Sequence, residues 1–203
     1  MTREHIHTIA SAKGSPKAHA GPGRPRCYDE ADVLDKALQV FWRQGYEATS
    51  VDDLTAAMGL SRSSFYSAFG SKQGVLIAVL QSYSHAALQA LEQLAEGPRD
   101  QAIKAMLDAL SDPTGGPRGC MLVNCITELA PQHEEVAELG RHHLERIEGL
   151  FAKALSPENP DAARDKARAL SALAIGTLTL RKSGMPPESI STALEAARTI
   201  LAT

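Results

Sequence analysis

The sequence predicts an all-α protein of about nine helices, and three observations carry that expectation. All eleven prolines (residues 16, 22, 25, 98, 113, 117, 131, 157, 160, 186 and 187) fall between segments with helical apolar spacing. Proline removes a helix hydrogen bond and its ring clashes with the preceding turn, so helix interiors should be free of it. No segment alternates apolar and polar residues with period two, and neither Asn-Gly nor Asp-Gly occurs, so hairpin signals are missing.

The elements follow in order. Residues 29–45 place Leu34, Leu38, Phe41 and Trp42 on one face and end at Gly45. Residues 50–57 carry Val51 and Leu54, with Met58 completing the face, and Gly59 suits the left-handed residue that ends a helix. Residues 61–68 turn Phe65 and Phe69 inward at i, i+4 and close at Gly70. Ser71 then caps a long helix, 72–96, striped by Leu76, Leu80, Tyr83, Ala87, Leu91 and Leu94. Further helices are expected near 99–110, 119–130, 134–155, 160–183 and 187–202.

Eight of the nine aromatic residues lie between Tyr28 and Tyr83, and Phe151 is the ninth. A small three-helix unit needs large side chains to build a core, and Phe41, Trp42, Tyr46, Phe65 and Phe69 supply them. The remainder packs with Leu, Ile, Met and Ala. Two cores are therefore expected, dividing the chain into a basic, flexible N-terminal arm (1–26), a helix-turn-helix domain (27–87, motif about 50–69) and a second helical domain (88–203).

Charge is unevenly distributed. The whole chain carries −3, but residues 1–26 carry +4 through Arg3, Lys13, Lys17, Arg24 and Arg26 against Glu4, which leaves −7 beyond them. A basic arm on an acidic body suits contact of the arm with a polyanion while the body avoids non-specific attraction; a merely soluble tail is the other reading. No apolar run approaches the ~18 residues of a membrane span. The N-terminal residues lack the apolar core of a secretory signal. Three cysteines, an odd number, speak against a disulfide scaffold and for a reducing cytoplasm.

The stretch DLTAAMGLSRSSFYSAFGSK has the form of a helix-turn-helix, in which one helix braces and the next enters the major groove. Ser61 can cap the second helix. With Phe65 and Phe69 buried, Arg62, Ser63, Tyr66 and Ser67 face outward, beside Ser61 and Ser64. Arg62 suits guanine O6 and N7, and small serines let the backbone approach the base edges. Tyr66, Lys72 and the backbone N–H groups near Thr49 and Ser50 are candidate phosphate contacts. Arg24 and Arg26, just before the first helix, can reach an adjacent narrow minor groove. A helical hairpin with a polar outer face remains the alternative on spacing alone.

The run GRPRCYDEADVLDKALQVFWRQGYEATSVDDLTAAMGLSRSSFYSAFGSKQGVL resembles the DNA-binding domain of the tetracycline-repressor (TetR) family of bacterial transcription regulators. The match lies in FWRQGYEATSV, LTAAMGLSRSSFY and FGSK, over about residues 24–80. Where the family has Leu-Tyr/Phe-x-x-Phe and then a lysine, this chain has Phe65, Tyr66, Phe69 and Lys72, so Phe replaces the commoner Leu. The resemblance implies a homodimeric repressor on double-stranded operator DNA, with a C-terminal domain that binds a small-molecule effector and dimerises through its last two helices. Ala163, Ala167, Ala174 and Gly176, with Ile190, Ala193, Leu194, Ala197 and Ile200, suit close helix approach there. It implies no cofactor and no membrane partner.

Candidate pocket residues on the inner faces of the later helices are Leu91, Met106, Leu110, Cys120, Asn124, Glu128, His143 and Phe151. Asn124 and Glu128, at i and i+4, are the polar pair that core packing explains least. Cys120, at a predicted helix start beside Arg118, raises an alternative of thiol-based sensing. Cys125 lies five residues on and off that face, so the two should not pair. His142, His143 and Glu145, with His133 and Glu128, raise a more remote metal-responsive alternative, although adjacent helical histidines diverge by about 100°. None of Gly-x-Ser-x-Gly, His-Glu-x-x-His, a phosphate-binding loop or Cys-x-x-Cys occurs, so no enzyme is expected.

Overall fold

The computed structural model describes residues 28–111 and 118–202, with side chains as far as Arg198. The basic arm with Arg24 and Arg26, Cys27, and the side chain of Ile200 lie outside what is described. Among the described residues there are nine α-helices and no strand. They are α1 (Glu30–Gln44), α2 (Val51–Met58), α3 (Arg62–Phe69), α4 (Lys72–Ala95), α5 (Arg99–Ser111), α6 (Met121–Leu129), α7 (Glu134–Leu155), α8 (Arg164–Lys182) and α9 (Pro187–Ala202). A 3-10 turn, Pro160–Ala163, leads into α8.

Local chemistry sets these boundaries. Asp29 accepts from the Ala31 N–H at 3.0 Å and starts α1. At α2, Ser50 and Asp53 form a capping box: the Ser50 hydroxyl accepts from the Asp53 N–H at 3.1 Å, and the Asp53 carboxylate accepts from the Ser50 N–H at 2.9 Å. The Ser50 hydroxyl also donates to the Asp53 carboxylate at 2.6 Å, and this bond, with the one from the Ser50 N–H, holds the Asp53 carboxyl below its usual range. Gly59 ends α2 with φ 67°, in the left-handed region that glycine enters without a steric cost.

Packing divides into two cores. The first gathers Val33, Phe41, Leu54, Phe65, Leu76 and Leu80 from α1–α4. It also takes in Met121, Leu122, Cys125 and Leu129 of α6 and Val136 of α7. The second gathers Leu91, Met106, Leu107, Phe151, Leu170 and Ile190 from α4, α5 and α7–α9. The change of core falls within α4, between Leu80 and Leu88, so α4 is a shared spine. It has the length and mean hydropathy, 1.2, to cross a bilayer by composition alone. Its apolar residues instead serve both cores.

Small residues of α8 take a different place from the one expected. Ala163, Ala167 and Ala174 are buried inside the chain, where the 3-10 turn and α8 pack on α7. They allow close approach within the protomer, while Gly176 and Ala193 stay exposed. Ile190 and Leu194 of α9 are likewise spent on the second core.

Candidate nucleic-acid interface and interior cavity

The turn between α2 and α3 is built by Gly59 and by the Leu60 N–H, which donates to the Thr55 carbonyl at 3.0 Å. Ser61 accepts from the Ser64 N–H at 3.1 Å, and the two hydroxyls lie 2.9 Å apart. Phe65 is fully buried and its ring meets those of Phe69 and Tyr66. That anchoring leaves Arg62, Ser63, Ser64, Tyr66 and Ser67 exposed on the opposite face. Tyr66 is 47% exposed, one of only two large apolar side chains so placed among the described residues.

Arg62 is held by a neighbour. Its guanidinium donates to both Asp52 carboxylate oxygens, at 2.6 and 2.7 Å from Nη2, with Nε at 3.0 Å from Oδ1. Both side chains are mostly exposed, and exposed pairs are worth at most about 1 kcal/mol. A guanine edge offers the same fork two acceptors. The pair therefore orders Arg62 across the α2–α3 turn and yields readily to a base.

Three expected phosphate contacts have other work here. Thr49 is buried, its hydroxyl donating to the Gly45 carbonyl at 2.6 Å and its N–H to the Tyr46 carbonyl at 3.2 Å. The Ser50 N–H is committed to Asp53. Lys72 donates to the carbonyls of Tyr46 and Thr49 at 2.9 and 3.0 Å and lies 4.2 Å from the centre of the Tyr46 ring. Its charge staples the α1–α2 connection to the start of α4, because those carbonyls have no helical partner of their own.

Gly74, which no sequence motif singles out, belongs with these. A β-carbon there would lie 2.0 Å from the Phe69 carbonyl oxygen, so glycine is what lets α3 end directly against α4. The only signal for it is a glycine inside the first turn of a helix, where propensity disfavours it.

An interior cavity of about 140 Å³ opens between the two cores. Its walls are Ala31, Leu34 and Leu38 of α1, a line of α4 residues from Val79 to Leu94, and Ala109 and Leu110 of α5. Gly119, Cys120, His143, Leu178 and Arg181 complete it, with exposed Asp35 and Ser82 at the rim. Leu91, Leu110, Cys120 and His143 of the expected residues are among these. Met106 and Phe151 are not, because both are buried in the second core. Asn124 and Glu128 are not either. Asn124 donates to the Arg118 carbonyl at 2.8 Å and accepts from Lys182 at 2.9 Å. Glu128 is exposed on α6, near Gly45. Helical spacing put both on one face, but that face looks toward α1 and α8.

Tyr83, Cys120, His143 and Arg181 are polar groups of the wall, and each has a polar neighbour. Ser84 and His143 Nδ1 are 2.7 Å apart and buried. Tyr83 donates to Cys120 Sγ at 3.5 Å, and burial beside that thiol pushes the phenol well above its usual value. Arg181, buried at 7% exposure, donates to the Ser111 carbonyl at 3.2 Å. Cys120 and Cys125 are both unbridged. Burial, then Glu128 and Cys120, push the Cys125 thiol up to about 12, so it stays protonated at neutral pH.

Burial, with His142 acting in the same direction, pushes the His143 imidazole down from 6.5 to about 4. Its native pKa is depressed, so unfolding takes up a proton between those two values. Stability falls as pH drops through that window, by about 3 kcal/mol in all. We expect His143→Gln to flatten this slope in urea titrations run from pH 7 to pH 4, as a difference from the wild type. Parallel slopes would mean that His143 titrates normally.

The head and the later helices are also joined by polar contacts. Trp42 Nε1 donates to the Arg118 carbonyl at 3.4 Å, the carbonyl that Asn124 also holds, and Asn124 reaches Lys182 of α8. Gln73 of α4 donates to Glu135 of α7 at 2.9 Å.

This arrangement of helices is shared with known proteins. The pattern described as "Bacterial regulatory proteins, tetR family" matches residues 33–79, from within α1 to within α4. Over 135 residues the chain is 30% identical to the uncharacterized HTH-type transcriptional regulator YezE of Bacillus subtilis (strain 168), a match covering 64% of this chain and 69% of YezE. The chain belongs to the TetR family. It is also 34% identical over 122 residues to the HTH-type transcriptional repressor ComR of Escherichia coli (strain K12). That match spans 57% of this chain and 58% of ComR, little more than half of the relative's own length. Among solved structures, it superposes on the TetR regulator CifR, a cysteine mutant complexed with 26-bp double-strand operator DNA, with TM-score 0.72 and 25% identity. The superposition covers 86% of this chain and 97% of CifR. As a TetR protein the chain is a DNA-binding transcriptional regulator, and α2–α3 is its helix-turn-helix.

Proposed function

We propose that this TetR regulator is a homodimeric repressor that places α3 of each protomer on double-stranded operator DNA and releases it when a small molecule fills the interior cavity. One observation supports the coupling above others: α1 of the reading head is itself a wall of the cavity. A ligand there must bind the two head positions with different affinity, or it shifts nothing. Contact with α1 supplies that difference, since Ala31, Leu34 and Leu38 move with the head. The exposed outer faces of α8 and α9, with Gly176 and Ala193, are the surfaces for the partner. A single α3 reads too few bases to locate an operator, whereas two give half-sites related by symmetry.

Footprinting on the DNA upstream of its own gene tests this, alongside sedimentation equilibrium. The expected outcome is a dimer that protects two half-sites about one helical turn, roughly 34–36 Å, apart. A monomer protecting one half-site overturns it.

A second reading rests on Cys120, which lines the same cavity at the start of α6 beside the Tyr83 hydroxyl. Electrophiles that alkylate this thiol would fill the cavity covalently. Cys120→Ser should then abolish release of DNA by electrophiles, and release retained in that variant would dismiss the thiol reading.

A further inference from the structure

We infer that Asp52 of α2 determines the selectivity of the head: it neutralises Arg62 on DNA that offers no guanine and shares or gives up the guanidinium where a guanine is in reach. Asp52 is a positioning residue that acts through Arg62. This rests on the reading of the exposed α3 face as the reader of DNA sequence, and deepens it by adding a residue from the bracing helix.

Two adjacent aspartates open α2, and they have different work. The Asp53 carboxylate closes the capping box with Ser50. The Asp52 carboxylate takes no part in that box and holds the Arg62 fork instead. A first-turn carboxylate favours a helix N-terminus wherever its oxygens point, so α2 by itself does not call for this contact. Ten residues and one turn separate the pair along the chain, and the helix-turn-helix geometry brings them together.

Charge gives the contact its consequence. Arg62 is the one charged side chain of α3, so pairing it leaves that helix with no net charge to offer. Lys72, at the start of α4, is likewise spent on two carbonyls. Attraction to phosphates is blind to sequence, and an uncompensated arginine on this face would hold any duplex. A phosphate that approaches the paired guanidinium meets the Asp52 carboxylate as a like charge, which is costly. A guanine edge is uncharged. The fork engages Nε and Nη2, and a guanidinium has two further N–H groups on Nη1, so O6 and N7 can be met with part of the fork still on Asp52.

The magnitudes favour this division. The two side chains are 61% and 69% exposed, and an exposed pair shifts an equilibrium by roughly fivefold at most. A bidentate guanine contact discriminates by roughly 5- to 160-fold. The pair is therefore too weak to keep Arg62 from a guanine, yet it cancels the charge elsewhere.

The test is a salt series of fluorescence anisotropy on full-length wild type, Asp52→Asn, Arg62→Ala and the double variant, with the chain's own upstream DNA and an unrelated duplex. Asp52→Asn keeps the shape and one acceptor and removes the charge. On the unrelated duplex it should tighten binding by roughly tenfold at 0.1 M salt for each protomer bound, and steepen the slope of log K against log salt by about 0.9. Upstream affinity should change far less, so the ratio of upstream to unrelated binding falls. In the Arg62→Ala background, Asp52→Asn should have little effect on either duplex, because the two residues act as one unit. An unchanged ratio in Asp52→Asn, with Arg62→Ala still weakening upstream binding, overturns the inference and leaves the reading of α3 in place. The same tightening with and without Arg62 overturns it as well, since Asp52 would then act only as a charge near DNA. Arg62→Ala without effect on upstream DNA refutes the reading of α3 itself, and the inference falls with it.

Discussion

Replacing Gly74 with alanine should abolish specific DNA binding and lower the melting temperature, although it adds a single methyl group on a helix. The added carbon meets the Phe69 carbonyl oxygen at 2.0 Å and its carbon at 3.2 Å. Both are backbone atoms, so no rotamer change relieves the clash, and the end of α3 must swing away from α4. Overpacking of ordinary side chains costs about 1–3 kcal/mol. A backbone clash belongs at the upper end of that range or beyond it. Gly149 in α7 is the matched control: its position is exposed and nothing lies within 4 Å of an added β-carbon. There Gly→Ala should stabilise by about 0.4–1 kcal/mol through helix propensity and reduced unfolded-state entropy. Thermal unfolding of both variants makes the comparison. Equal melting temperatures would show that α3 and α4 do not meet as described.

Phe65→Ala should remove about 3–5 kcal/mol from the first core. Phe65 is fully buried and is the one buried residue of α3. The eight residues of α3 are too few for a stable isolated helix, for which about 12–15 are needed. Without the Phe65 ring, α3 loses its place in the first core, where it packs beside α2 and α4. The first core also contains α6, so the loss should extend to amide protection of Met121–Leu129, far along the chain. Hydrogen exchange reads this directly: faster exchange in α2, α3 and α6, with α8 and α9 little changed. Protection of α6 at the wild-type level would separate α6 from the head.

Much of the fold is legible in the residues because its signals are local. The positions of the prolines, the capping Ser50, Ser61 and Ser71, and glycines 45, 59 and 70 mark helix ends by chemistry that needs no tertiary partner. The exposed face of α3 follows as simply, since burying Phe65 and Phe69 turns Arg62, Ser63, Tyr66 and Ser67 outward. What was hidden depends on partners remote in sequence. The apolar face of α6 does not say which core it joins, and it joins the first. Lys72 looks like a phosphate contact until Tyr46 and Thr49, more than twenty residues earlier, present their carbonyls to it. Asn124 and Glu128 look like a buried polar pair until their face proves to border Lys182 and Gly45. Arg181, in the last turn of α8, reads as a partner for the helix dipole. Only the fold brings it beside Ser111 and Tyr83 in the cavity wall.

In the proposed repressor the same dependence on remote contacts would supply the means of regulation. One helix, α4, carries both cores, and one cavity touches the head through α1 and the later helices through α5–α8. The Arg62–Asp52 fork keeps Arg62 ordered without burying it.

The proposed repressor function depends on the exposed face of α3 reading DNA sequence. Fluorescence anisotropy of the wild type, Arg62→Ala and Tyr66→Phe probes that face, at one salt concentration, on the chain's own upstream DNA and on an unrelated duplex. A lost base contact costs about 1–3 kcal/mol, so Arg62→Ala should weaken upstream binding by roughly tenfold or more. Tyr66→Phe, which removes a phosphate contact, should show a smaller loss of similar size on both duplexes, whereas affinity for the unrelated duplex should change far less in Arg62→Ala. Upstream binding as tight in both variants as in the wild type would contradict a reading role for this face.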